Sequence, residues 1–188
     1  MVRLGLALTL LLLAPSALAQ PATPVTPEDT ADPADVATTE AILEAVYEVI
    51  SGEADEPRDW DRFRSLFHPE ARLMPLGPGP DSLWRPAGVW SPDEYAELAA
   101  DIFANAPIFQ GKGFYEVESA RRVEHYEHLA HVWSTYESRL APDEEPFAQG
   151  INSFQLYHDG TRWWVMSILW EQETPETPIP APYLPESR

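Results

Sequence analysis

Three histidines recur at every third position, and histidine is the commonest metal ligand in proteins. His125, His128 and His131 would lie on one face if the segment were a helix. The residues around them instead predict a β-hairpin with Glu127 and His128 at its turn, so the three imidazoles would not converge on one ion. We therefore expect no metal site.

Few residues fit a covalent or acid–base mechanism. The chain has neither a Gly-x-Ser-x-Gly motif nor any cysteine, and we expect no cofactor. The acidic run at 143–145 is flanked by prolines and predicts a solvated loop, not a pair of catalytic carboxylates. One enzymatic hypothesis remains: proton transfer on a small apolar substrate by an isomerase, cyclase or hydrolase, with Tyr136 as hydrogen-bond donor and His125 or Glu137 as base.

The first predicted hairpin brings several of these polar side chains to one face of a sheet. With its turn at 127–128, the pairs expected on the inner face are Val123 with Val132, Arg121 with Ser134, and Ser119 with Tyr136. The opposite face is more highly charged, with Glu118 and a cross-strand pair of Glu116 and Arg139, so we expect it to point outward. A slip of one residue would invert this assignment.

A compact turn at Asp159-Gly160 predicts a second hairpin from the last two long strands. Its inner face would carry Ile151, Ser153, Gln155, Trp164, Met166, Ile168 and Trp170. The two inner faces predict a mostly apolar wall with a few polar groups, which is typical of a small-molecule site. The candidate ligand-binding residues are Arg121, Ser134, Tyr136, Ser153, Gln155, Trp164 and Trp170.

Each candidate also has an interpretation without a ligand. Aromatic rows on strands usually pack in a core or a dimer interface, and Tyr136 and Gln155 could be buried polar groups with internal partners. Arg121 is either a solvated strand end or, if buried, a group that favours an anionic ligand.

The charge of the chain excludes two classes of partner. Its 31 acidic residues against 12 basic ones give a formal net charge of -19. Phosphate backbones and anionic membrane surfaces would both be repelled. We therefore expect no nucleic-acid partner.

The two ends of the chain differ from its middle. The basic start at 1–3, an apolar run and Ala17-Leu18-Ala19 predict a secretory signal peptide over 1–19. The apolar run is shorter than the about 20 residues that span a bilayer, so we expect an exported protein, periplasmic or secreted, without membrane insertion once the signal is removed. Proline and acidic residues predict a disordered tether over 20–32 and an extended, proline-rich tail over 173–188.

The remaining residues, 33–172, predict a single domain in which helices precede strands. Three helices are predicted: from Asp32-Pro33 to Gly52, from Asp59 to a stop at His68-Pro69, and from the capping box Ser91-Pro92-Asp93-Glu94 to Pro107. Two short strands are predicted near 71–76 and 83–90, the second an edge strand because of Pro86, and four long strands follow Gly113. The fold class is α+β.

The order of elements and several local motifs resemble the NTF2-like superfamily, and within it bacterial SnoaL-like domains of unassigned function. The motifs are Arg121-Arg122-Val123-Glu124, Ala130 to Arg139, Gly150-Ile151-Asn152-Ser153, and Trp163-Trp164 through Trp170. The resemblance implies a cone, in which a curved, mixed or antiparallel sheet wraps around three helices from the first half of the domain. It carries over no catalytic residue, because the superfamily includes both enzymes and binding modules.

Three functions follow as hypotheses. The first is an exported module that binds a small organic ligand in the cone, with a homodimer formed through the outer face of the sheet. The second is the proton-transfer enzyme described above. The third is a protein-interaction or dimerisation module without a ligand, which a dense core and a large apolar outer patch would support.

Overall fold

The computed structural model describes residues 30–185, and its three α-helices lie in the first half of that range. Helix α1 spans Thr39–Ile50, α2 spans Trp60–Ser65 and α3 spans Pro92–Asn105. The predicted signal peptide, most of the predicted tether and the last three residues lie outside the described residues.

The starts of α2 and α3 are set by the side chains that the sequence predicted. Asp59 accepts a hydrogen bond from the Arg62 amide at 2.9 Å. Ser91 and Glu94 form the reciprocal capping box, with bonds of 2.8 and 3.2 Å. After α2 the chain passes directly into a strand, so His68 lies in that strand and not at a helix end.

Helix α1 begins later than predicted. The Asp32 side chain accepts a hydrogen bond from the Ala34 amide at 2.9 Å and holds a separate turn. Thr38 is the cap, since its hydroxyl accepts from the Ala41 amide at 3.1 Å. The predicted start at Asp32-Pro33 was therefore wrong, because an aspartate can stabilise an isolated turn as well as a helix.

Within residues 30–185, six strands form one curved, mixed sheet in the order β2-β1-β6-β5-β4-β3. Their bounds are β1 Phe67–Pro78, β2 Trp84–Pro86, β3 Tyr115–Tyr126, β4 Leu129–Arg139, β5 Ala148–His158 and β6 Trp163–Gln172. Strands β1 and β6 are parallel, and the other neighbours are antiparallel. The short edge strand containing Pro86 agrees with the prediction, although β1 is longer and β2 shorter than expected.

A β-bulge at Ser119 divides β3 into two halves. On one side of it the predicted pairs Val123–Val132 and Arg121–Ser134 are confirmed. On the other side Glu118, and not Ser119, lies opposite Tyr136, and Glu116 lies opposite Ser138, so the predicted pairs Ser119–Tyr136 and Glu116–Arg139 were wrong. Because a bulge inserts one extra residue, it moves both glutamates to the inner face.

The hairpin of β5 and β6 also departs from the expected register. Its loop extends from Asp159 to Arg162, and a second irregularity near Met166 shifts the pairing. The inner positions of β5 are Gly150, Asn152, Phe154 and Leu156, all of which are buried. The predicted inner residues Ile151, Ser153 and Gln155 therefore point outward, whereas Ile168 and Trp170 of β6 point inward beside Phe154 and Asn152.

The main core lies between the inner face of the sheet and the apolar faces of the helices. Ile42 and Leu43 of α1 and Phe63 of α2 are fully buried against Val132 and Phe154. This packing holds α1 against β3 and β6 of the sheet.

The C-terminal segment, residues 173–185, crosses the outer face of the sheet. The Thr135 hydroxyl donates to the Tyr183 carbonyl at 2.6 Å, and the Arg122 guanidinium lies 5.4 Å from the centre of the Tyr183 ring. Ile179 is buried. The segment is mostly extended, as its prolines predicted, but it contains one 3-10 turn at Ala181–Tyr183. None of the described helices has the length and apolar character needed to cross a membrane.

Candidate functional site

A cavity of about 440 Å³ lies inside the cone, between α1, α3 and the inner face of the sheet. Its walls are mainly aromatic and aliphatic, and its volume falls in the range of about 300–1,000 Å³ typical of small-molecule sites. The polar side chains that line it are Tyr47, Tyr95, Glu116, Tyr136, Ser138, Asn152 and Gln172.

Glu116 contributes the acidic group of this cavity. The Ser138 hydroxyl donates to its carboxyl Oε2 at 3.0 Å. Burial raises the pKa of Glu116 to about 7, an effect that Ser138 and the Asn152 amide partly offset. Part of its side chain stays accessible because it forms the cavity wall. A carboxyl group with such a pKa can accept or release a proton near neutral pH.

Tyr136 supplies a hydroxyl with no hydrogen-bond partner among residues 30–185. Its ring lies against β5 at Gly150, where an added Cβ would be only 2.6 Å from the hydroxyl oxygen. Burial, followed by the charge of Glu116, raises the pKa of Tyr136 above its usual range. The hydroxyl is therefore a neutral donor or acceptor available to a ligand.

A buried hydrogen-bond network fixes the wall behind these groups. The Ser134 hydroxyl donates to Glu118, so at 2.6 Å it must accept from the Tyr47 hydroxyl. Tyr47 in turn accepts from the Asn152 amide at 3.0 Å. Burial raises the pKa of Tyr47, which keeps it neutral.

Arg121 completes this network at the protein surface. Its Nε donates to Glu118 at 2.7 Å, and neither side chain lines the cavity. Ser134 and Arg121 thus support the site from behind. An anion-binding role for Arg121, expected if it were buried, is not supported, because Glu118 already neutralises its charge.

The other candidate residues are divided between the two faces. Tyr136 and Trp170 line the cavity, as expected. Ser153 and Gln155 lie on the outer face, where the Ser153 hydroxyl and the His131 imidazole share a hydrogen bond of 3.0 Å. Trp164 lies opposite the outward Tyr157 and is buried under the Arg162 guanidinium, 3.6 Å from its ring centre, with its indole N–H donated to Asp159.

The proposed bases lie away from the cavity. His125 contacts Trp163 near the tip of the hairpin, with ring centres 5.9 Å apart. Glu137 is on the outer face and bonds to Arg139. Both assignments as the base were wrong, since Glu116 is the carboxyl group that faces Tyr136. Among residues 30–185 no group of three or more potential ligands could hold a metal ion.

Sequence reasoning missed Glu116, Asn152 and Ser138. One signal was available for β5, because its two alternating sets of residues differ in polarity. The inner set is the less polar and consists of Gly150, Asn152, Phe154 and Leu156; the outer set consists of Ile151, Ser153, Gln155 and Tyr157. Nothing comparable marks the bulge at Ser119, which has no glycine or proline next to it.

A second groove, of about 430 Å³, lies on the outer face beneath the C-terminal segment. It is lined by Trp133, Ile151, Ser153 and Leu169 of the sheet and by Ile179 and Tyr183 of the segment. Glu173 at its edge already bonds to the Ile179 amide and to Gln149. The cone cavity is the better candidate because its polar groups converge and one of them, the Tyr136 hydroxyl, has no hydrogen-bond partner in the described part of the chain.

The architecture, an α+β domain in which one curved mixed sheet packs against three helices of the described residues, is the one that the sequence resemblance predicted. No protein-family model matches the chain, and no curated protein matches it significantly.

Solved structures share this fold at low sequence identity. A protein of unknown function with a cystatin-like fold from Nostoc punctiforme has a TM-score of 0.55 and 9% identity, covering 72% of this chain and 89% of its own. A protein from Thiobacillus denitrificans, provisionally described as a calcium/calmodulin-dependent protein kinase type II association domain, has a TM-score of 0.50 and 12% identity, covering 73% and 96%. An NTF2-like protein of unknown function from Silicibacter pomeroyi is a weaker match, with a TM-score of 0.47, 15% identity and coverage of 73% and 94%.

Proposed function

We propose that this protein is an exported module that binds a small organic ligand in the cone cavity. The proposal rests on one observation: the Glu116 carboxyl and the Tyr136 hydroxyl, which has no hydrogen-bond partner among residues 30–185, both line a mainly apolar cavity of about 440 Å³. Such a cavity excludes most water from a ligand and orients it through few polar contacts. A module that acted only through its surface would not need this cavity.

A thermal-shift screen of residues 20–188 against small organic compounds tests the proposal. A ligand that binds only the native state raises the melting temperature by mass action. We expect Tyr136→Phe to reduce the shift given by a hit. Tyr157→Phe, the same change on the outer face, is the matched control and should leave it unchanged. Hits that respond equally to both variants would place binding outside the cone.

Proton transfer is the second candidate function, and Glu116 favours it. A pKa of about 7 suits a general base at neutral pH, and the Tyr136 hydroxyl could donate to an oxygen that gains charge. Turnover of a bound compound, followed by a pH–rate profile with an apparent pKa near that of Glu116, would support the enzyme. Binding without turnover by the wild-type protein would favour the module.

Export and dimerisation are parts of the same proposal. The signal-peptide pattern over 1–19 supports export, and fractionation of cells producing the full chain tests it.

The outer face offers Trp133, Ile151 and Leu169 beside the C-terminal segment as a surface for a second copy. The association-domain description of the Thiobacillus denitrificans protein is consistent with such a role. Light scattering that gives the mass of a monomer at micromolar concentration would reject the dimer.

A further inference from the structure

Of the described residues that line the cone cavity, one is acidic and none is basic. Among the described residues that line it there is no arginine, lysine or histidine. The ionisable side chains that face Glu116 are Tyr47 from α1, Tyr95 from α3 and Tyr136 from β4. Burial raises the pKa of each of these tyrosines, so all three are neutral at physiological pH. No side chain lining the cavity therefore compensates the negative charge of Glu116.

Aromatic rings surround the same space. Tyr95 and Trp170 meet edge to face, with ring centres 6.2 Å apart at 89°. Phe109, Phe114 and Phe147 form a second group, in which Phe109 and Phe114 are perpendicular at 5.7 Å. Aromatic faces attract cations through their quadrupole, and this attraction strengthens where water is excluded.

We propose that the ligand of the cone cavity is an organic cation, an ammonium group on an apolar body, with its nitrogen against the Glu116 carboxylate. The proposal rests on the ligand-binding function proposed above and specifies its chemical class. An anionic ligand would meet Glu116 without a counter-charge, which is costly in a buried site. A cation instead pairs with the carboxylate while the aromatic walls cover its apolar body.

The Ser138 hydroxyl and the Asn152 amide support this choice over a neutral ligand. The Ser138 hydroxyl donates to the carboxyl group, and both groups lower the pKa of Glu116, which favours its charged form. The Ser138 bond orients the carboxylate, which has further lone pairs for a ligand in the cavity that it lines. A bound ammonium would complete the set of hydrogen bonds around Glu116.

Isothermal titration calorimetry with three matched probes tests the inference. The probes are 2-phenylethylamine, 2-phenylethanol and phenylacetate, which share one ring and differ in charge. At pH 8 we expect the amine to bind at least about tenfold more tightly than the alcohol, a difference of about 1.4 kcal/mol, and phenylacetate to bind most weakly. Lowering the pH through the pKa of Glu116 should abolish the preference because the carboxylate becomes protonated.

Glu116→Gln should remove the preference for the amine and retain binding of the alcohol. Glu171→Gln, on the outer face, removes the same charge from the whole molecule and should leave the preference unchanged. The pH series on the wild-type protein gives an independent test if Glu116→Gln does not fold. Equal binding of amine and alcohol would overturn the cation inference and leave the binding module intact. Failure of the amine to bind would also overturn the cation inference. The binding function is tested separately, by the compound screen.

Discussion

The carboxyl group of Glu116 lies among aromatic rings and neutral hydroxyl groups, where its charged form is poorly solvated. The three tyrosines that face it also have raised pKa values and stay neutral. None of them therefore supplies a charge that balances the carboxylate. Buried ionisable groups without a counter-charge are rare in cores and are common at functional sites. This residue therefore links the fold to its proposed chemistry, and its effect on stability can be measured without a ligand.

Glu116→Gln should stabilise the apo protein above pH 7. The folded-state pKa is about 7 and lies above the reference value of 4.5, so the folded protein binds the proton more tightly than the unfolded chain. The stability from this proton is complete below pH 4.5 and is lost as the pH rises to about 7. Urea unfolding should show a gain of about 3 kcal/mol for the variant at pH 8 and none at pH 4. The same gain at both pH values would show that Glu116 is not the titrating group, and Glu171→Gln is the control.

At the scale of the elements, the sequence predicted what depends on local chemistry. The capping residues Asp59 and Ser91, the turn at 127–128 and the edge position of Pro86 each act through neighbouring atoms. The inner and outer faces depend instead on whether a strand contains an extra residue. Ser119 and Met166 interrupt the alternation, and neither carries a local signal for a bulge. Tyr136 and Trp170 were placed correctly, whereas Glu116 and Asn152 were not.

Gly150 shows how closely β4, β5 and β6 approach beside the cavity. A Cβ at this position would lie 2.2 Å from the Glu171 carbonyl oxygen and 2.6 Å from the Tyr136 hydroxyl oxygen. Gly150→Ala should therefore lower the free energy of unfolding by about 1–3 kcal/mol and displace Tyr136. Gly77→Ala is a matched strand control, because its Cβ would meet only the Ala87 side chain, at 3.9 Å. Chemical denaturation of both variants checks this, and equal losses would contradict the close approach.

At the scale of the whole molecule, the domain has two faces with different exposure to partners. The inner face encloses the cavity, and the outer face is partly covered by the C-terminal segment. Thr135 is buried under Tyr183, and the groove beside them exposes Trp133 to a ligand or a second copy. The segment thus limits how much of the outer face a second copy could cover.

Removing residues 174–188 should expose apolar surface and increase self-association. The deletion removes the buried Ile179 side chain, the Tyr183 carbonyl that accepts from Thr135, and the aromatic contact of Tyr183 with Trp133 at 5.9 Å. Burying one aliphatic side chain contributes about 1.5–3 kcal/mol, so the melting temperature should also fall. Size-exclusion chromatography with light scattering measures the association. Deletion of 186–188 alone is the control and should change neither property. If the longer deletion leaves both mass and melting temperature unchanged, the segment does not cover the outer face in solution, and that whole face is available to a dimer.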